Sequence, residues 1–332
     1  MHDDTTPDDS TPHDKTGRTA FLARGRPANP THTVLPAAAL ALGLGLATLS
    51  VLTGLPGSGL AQRGPPRAAA RAAVAVAAIE LAPHRAVYEF ALGTARSSNS
   101  VASVAGRMVY EFTGSVCEGY TQSMRFVTRT SSQEGEVTVN DQRTSSWEDA
   151  AGTRYRFQSS QFRGDQLSEQ TAGTAARGEA DADMAVELTH PEKTKTAVGN
   201  RALYPVQHSV KLLEAARRGE TSFKAEFFDG SEGGEKSYII NAHIGRPVAA
   251  AYNKSLPRVG QAERLDGIAA WPVALSYFEH GSEKRDAVPN YEMSFLIFQN
   301  GVSRRLVIDN GEYTMKGELT ELVMLDPVPC KK

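Results

Sequence analysis

Five of the eight histidines, His84, His190, His208, His243 and His280, lie beyond the first eighty residues and could titrate near neutral pH or ligate a metal, the two tasks imidazole performs most often. Each is 18 or more residues from the next, so only convergence in the fold would make a site of them. His208 falls in the first turn of a helical pattern and His190 precedes Pro191, which suits local structural roles. Asp229-Gly230-Ser231 sets a hydroxyl beside an acid. Between Phe227-Phe228 and Gly233-Gly234, however, Asp-Gly is the ordinary chemistry of a turn. Glu111, Glu118, Glu136 and Asp141 offer carboxylates, but acid/base work needs a pair at fixed separation, and exposed strand charge is the simpler reading. Arg154-Tyr155-Arg156-Phe157 interleaves bases with aromatics as single-stranded nucleic-acid binders do. A half-buried strand explains the same residues. There is no Gly-x-Ser-x-Gly, His-Glu-x-x-His, P-loop or Gly-x-Gly-x-x-Gly after a strand. No catalytic, cofactor-binding or metal residue is therefore assigned, and the chain reads as a non-enzyme.

The chain has only two cysteines, Cys117 and Cys330. Neither belongs to a Cys-x-x-Cys motif or has a His or second Cys at ligand spacing, which argues against a redox or metal site. In an oxidising compartment two thiols favour pairing, and two cysteines allow one intramolecular connectivity. Such a bridge would clamp the carboxyl end onto an early strand.

The compartment follows from the first residues. Lys15, Arg18, Arg24 and Arg26 stand between the last of five acids and a stretch, Pro27 to Gln62, with no Asp, Glu, Lys or Arg. A basic flank, an apolar core and small residues such as Gly59-Leu60-Ala61 form the order of a Sec-type secretory signal. Val34 to Leu55 is also long enough, at about 20 residues per span, to stay as a membrane anchor. Either way the positive flank sends the remainder out of the cytoplasm. The expected organisation is a signal peptide or anchor over residues 1–61, an Ala, Arg and Pro-rich linker over 62–83, and a single domain over 84–332. Beyond residue 61 the formal charge is only −1, which gives no field to steer a polyanion or dock on an acidic membrane. Nucleic acid is thereby excluded as a partner, and membrane contact is expected only through an uncleaved leader.

The elements that must position these residues are strands. Ala86, Tyr88, Phe90 and Leu92 alternate with Val87, Glu89 and Ala91, and Tyr120, Gln122, Met124 and Phe126 alternate with Thr121, Ser123, Arg125 and Val127. Period two marks a half-buried strand. Similar runs continue to Tyr313–Leu325, separated by turn signals such as Asn140-Asp141, Gly233-Gly234, Asn300-Gly301 and Asn310-Gly311. One segment reads differently: Val206, Val210 and Leu213 recur at helical spacing after Pro205, with Arg217-Arg218-Gly219 closing the pattern. Many strands and one helix predict a mainly β domain, a large antiparallel sheet that curls or closes around an apolar interior. That interior is either filled by side chains or holds an acyl chain.

The segments Gly106-Arg107-Met108-Val109-Tyr110-Glu111-Phe112 and Cys117-Glu118-Gly119-Tyr120-Thr121 resemble the cell-envelope-integrity family typified by EipB of alphaproteobacteria. His84-Arg85-Ala86-Val87-Tyr88, the Pro205-x-x-His208 helix start, Phe228-Asp229-Gly230-Ser231 and Cys330 match the same pattern, so the resemblance spans about residues 84 to 330. It implies a periplasmic β-spiral, open and barrel-like with one helix, similar in outline to lipoprotein carriers of the LolA and LolB type. It also implies that Cys117 and Cys330 form a disulfide, and that the role is envelope integrity without a cofactor or a known catalytic activity. The expected ligand is a lipid or lipoprotein, or a periplasmic protein partner. An envelope-directed hydrolase and a purely structural partner-binding sheet are the alternatives.

Overall fold

The computed structural model describes residues 78–330 apart from 97–100, 180–181, 250 and 282–286. The expected leader and most of the linker lie outside the described residues. Among those described, no helix is long and apolar enough to cross a membrane.

Eight strands follow one another from the first described segment: β1 (His84–Ala95), β2 (Val101–Ser115), β3 (Gly119–Ser132), β4 (Val137–Glu148), β5 (Arg154–Arg163), β6 (Gln166–Ala176), β7 (Met184–His190) and β8 (Thr194–Val198). Helix α1 (Pro205–Arg218) then precedes β9 (Ser222–Phe227), β10 (Tyr238–Ile244), a short helix α2 (Tyr252–Ser255), β11 (Ala270–Glu279), β12 (Tyr291–Phe298), β13 (Ser303–Asp309) and β14 (Tyr313–Met324). They form one fourteen-stranded sheet in the order β8-β7-β6-β5-β4-β3-β2-β1-β14-β13-β12-β11-β10-β9. Each half is a meander, and the antiparallel pairing of the first strand with the last joins the halves.

The sheet is not closed, since β8 and β9 remain its edges. Its ends nevertheless come round to each other. Leu203, just beyond β8, donates its N–H to Glu226 O in β9 at 2.9 Å and accepts from Phe228 N at 3.0 Å. Rolling satisfies backbone groups that two open edges would leave bare. Arg177 secures the seam by donating to the carbonyls of Gly152, Asn200 and Ala202 while its guanidinium lies over the Tyr204 ring, 4.8 Å from the centroid.

The rolled sheet has two apolar nuclei. The larger runs from Tyr88 and Phe90 through Ile240, Leu275, Phe298 and Leu306 to Leu322, with Leu212 and Leu213 of α1 inserted. The smaller gathers Tyr155, Phe157, Met184, Val186, Tyr204 and Phe228 near the seam. Burying a side chain such as Leu212, fully enclosed here, stabilises by about 2 kcal/mol.

Helix α1 ends as its sequence predicts. Gly219 is left-handed at φ 79°, and the amides of Gly219 and Glu220 return to Ala216 O and Ala215 O. At its start there is no acid in the first turn. Glu148 of β4 supplies one, accepting the N–H groups of Val206 at 2.6 Å and Gln207 at 2.9 Å.

One turn expectation is corrected. Asn140-Asp141 lies inside β4, where Asp141 is held by Arg125 and Arg143 at 2.8 and 2.7 Å. The chain turns instead on either side of β4, around Gly135 at φ 89° and Gly152 at φ 65°. Strands β6 and β8 were not legible as strands. The inward positions of β6 include Thr171, Gly173 and Ala175, too small to show an apolar alternation.

Candidate functional site

Register in the first meander builds one wall of a cavity. Tyr110 pairs with Met124, Met124 with Thr144, and Thr144 with Ser159, making a row across β2 to β5. Met108, Phe126, Gln142 and Gln161 form the next row in the same way. Alternation sends both rows to the same face. Met293 of β12 and Leu306 and Ile308 of β13 form the facing wall. The space between holds about 830 Å³ free of atoms, continuous with solvent, of which about 50 Å³ admits the centre of a water molecule. The interior is thus largely filled, with an opening left over.

The segment between β9 and β10 lines the cavity as well. Gly230 has φ 72°, and a Cβ there would lie 2.2 Å from the Phe157 ring, so glycine is required both by the backbone and by the approach to β5. Asp229 Oδ1 accepts the Ser231 amide at 2.9 Å, the local bond expected of Asp in a turn. Unlike a surface turn, this one is buried: Asp229 and Ser231 are each 4% exposed. Tyr155 donates its hydroxyl to Asp229 O at 3.1 Å. Burial pushes the Asp229 carboxyl above its ordinary range, opposed first by the hydrogen bond from the Ser231 amide.

Around this turn stand Tyr238, Tyr277 and Tyr291. The Tyr277 and Tyr291 rings stack with centroids 4.2 Å apart. Burial raises the pKa of all three above the usual phenol range, and each lies near enough to Asp229 to feel its charge. No well-formed hydrogen bond reaches the hydroxyls of Tyr238, Tyr277, Tyr291 or Ser231, or Asp229 Oδ2. A wider groove, about 1260 Å³ free of atoms by the same measure, near Tyr252, Leu296 and Arg305 has no such unpartnered buried group.

The five histidines do not converge. His84 is buried with Nδ1 2.7 Å from Ala82 O, and burial lowers its basicity. His208 is fully buried, without a hydrogen bond at either ring nitrogen, 4.8 Å from the Phe227 ring, and burial holds it well below the usual imidazole range. His190 and His243 are exposed, and His280 lies 3.6 Å from Glu226. Of the four carboxylates named from the sequence, Glu111, Glu118 and Glu136 are exposed, and Asp141 is committed to its arginines. In Arg154-Tyr155-Arg156-Phe157 the aromatics turn into the cavity, and the arginines lie over Trp147 on the other face, at 5.5 and 4.5 Å. Among the described residues no group of three or more His, Cys, Asp or Glu is placed to hold a metal ion. Cys117 and Cys330 have Cα atoms 5.5 Å apart and their sulfurs at bonding distance.

Fold and cavity together define a class: an unclosed, barrel-like antiparallel sheet rolled around an amphipathic interior. Within that class the chain belongs to the EipB-like family, which it matches over residues 75–326. It is 34% identical over 258 residues to a protein of Brucella abortus (strain 2308) named cell envelope integrity protein EipB, covering 77% of this chain and 89% of that one. A crystal structure described as a beta-barrel-like protein of domain of unknown function DUF1849, also from Brucella abortus, superposes with a TM-score of 0.67 at 31% identity. That likeness covers 75% of this chain and 100% of the other.

Proposed function

We propose that this chain is an exported, periplasmic, non-enzymatic protein that maintains envelope integrity by holding an amphipathic ligand, a lipid or the acyl part of a lipoprotein, inside its rolled sheet. The observation that carries the reading is the cavity wall: Met108, Met124, Phe126, Met293, Leu306 and Ile308 face a space that opens to solvent. Methionine is suited to such a wall, because its unbranched thioether repacks around guests of different shape. Among the described residues the backbone bridges the seam between β8 and β9 only at Leu203, so the sheet can widen there at the cost of two backbone hydrogen bonds while its strand ladders stay intact. Likeness to a protein named for envelope integrity supports the role, and the apolar leader with its basic flank supports export. A carrier-like relation to the LolA and LolB type belongs to the same proposal. The Cys117–Cys330 pair would be oxidised in that compartment.

A hydrolase reading has little to build on. Ser231 lies beside Asp229, but no histidine lines the cavity to act as its general base. The test is organic extraction of the protein purified from the envelope without detergent, with lipid analysis of the extract. Recovery of stoichiometric lipid is expected. An empty extract, with turnover on an esterase or glycosidase panel, would favour the hydrolase.

A further inference from the structure

Buried polar atoms in folded proteins are almost always partnered, because an unsatisfied one keeps its full desolvation cost. Here five buried polar atoms without a well-formed hydrogen bond gather at one end of the cavity: Asp229 Oδ2, Ser231 Oγ and the hydroxyls of Tyr238, Tyr277 and Tyr291, which make only loose contacts with one another. Asp229, Ser231 and Tyr291 line the open space directly. We propose that this cluster is a receptor for a neutral, hydroxyl-bearing group, the glycerol or sugar of a ligand's polar head. The proposal rests on the reading that the cavity takes a ligand, and adds which chemistry its polar end selects.

Three observations single out a polyol. No Lys, Arg or His lines the cavity, so a phosphate or carboxylate would be buried beside Asp229 with no compensating cation. An ammonium could satisfy Asp229 but only donates, whereas serine and tyrosine hydroxyls need acceptors as well as donors. A ligand hydroxyl offers both, and can take the positions of water in a space this small without loss of hydrogen bonds. The Tyr155 and Phe157 rings, stacked at 5.6 Å, lie along the same space and offer flat apolar faces to the carbon skeleton of a sugar. The head group of a lipid and a free glycan share this chemistry.

The experiment titrates the full exported chain with monomeric decyl maltoside, decyl phosphocholine and maltose by calorimetry, using wild type, Tyr291→Phe and Ser231→Ala. Decyl maltoside is expected to bind more tightly than decyl phosphocholine. Tyr291→Phe should weaken the maltoside about two- to tenfold and leave phosphocholine unchanged. Melting temperature should change little, because the lost hydroxyl makes no well-formed hydrogen bond in the unliganded protein, only a loose contact with Tyr277. Binding of maltose alone at comparable affinity would support the polyol receptor and assign it to a glycan. Equal affinity for the two head groups, with both variants inert, would overturn the receptor while leaving the apolar cavity intact. Absence of binding by any of the three would remove both readings.

Discussion

Glu148, at the end of β4, accepts the backbone N–H of Val206 in α1 at 2.6 Å across 58 residues of sequence. With the second bond to Gln207, the sheet itself caps the helix and orients it along the roll. Glu148→Ala would leave one buried and one partly buried amide without an acceptor and is expected to cost about 1–3 kcal/mol, measured by urea unfolding. Glu148→Gln keeps one acceptor and should cost less.

The same carboxyl gives a pH dependence. Burial raises Glu148 to about 8, against the pull of the two amides and Arg177. An unfolded glutamate titrates near 4.5, so between these values the native chain holds a proton that the unfolded chain has lost. Stability therefore falls as pH rises through that window. For His208 the sign is reversed: buried and neutral, it stays unprotonated while the unfolded chain takes up a proton below about 6.5, so its contribution is lost as pH falls. Between pH 6.5 and 8 only the Glu148 slope should remain of the two, and Glu148→Gln should abolish it. His208→Leu should flatten the acid side with little loss at neutral pH, because neither ring nitrogen has a partner to lose.

A bond between Cys117 and Cys330 would tether the segment before β3 to the segment after β14, at a sequence separation of 213. Closing so long a loop restricts the unfolded chain by about 5 kcal/mol at most on the chain-entropy account. Cys330→Ser is expected to lower stability toward that limit in oxidised protein and to have no effect on protein already reduced. Alkylation with mass measurement, before and after reduction, tests the pairing: two free thiols in the exported protein would contradict it.

Strands with large inward residues were legible from sequence, because Ala86-Tyr88-Phe90 or Tyr120 to Phe126 alternate visibly. Helix α1 was legible because proline, helical spacing and a final glycine agree. Asp141 misled, since an Asx pair reads as a turn until Arg125 and Arg143 are seen on either side of it. The site itself was half visible. Asp229-Gly230-Ser231 has the bonding of a turn, but its burial depends on Phe157, seventy-odd residues away, which no local pattern records. Glu148 was passed over because nothing near it in sequence marks a helix terminus, and the buried Arg304, donating to Asn253 Oδ1 and Pro257 O, gave no local sign either.

The rolled sheet is expected to hold an amphipathic ligand. Native mass spectrometry of the full-length protein, isolated from its own envelope without detergent, tests it most directly. The expected result is an adduct of lipid-like mass that is lost on denaturation, with uptake of decyl maltoside by the stripped protein. The bare chain mass under both native and denaturing conditions, with no uptake of any alkyl probe, would contradict it.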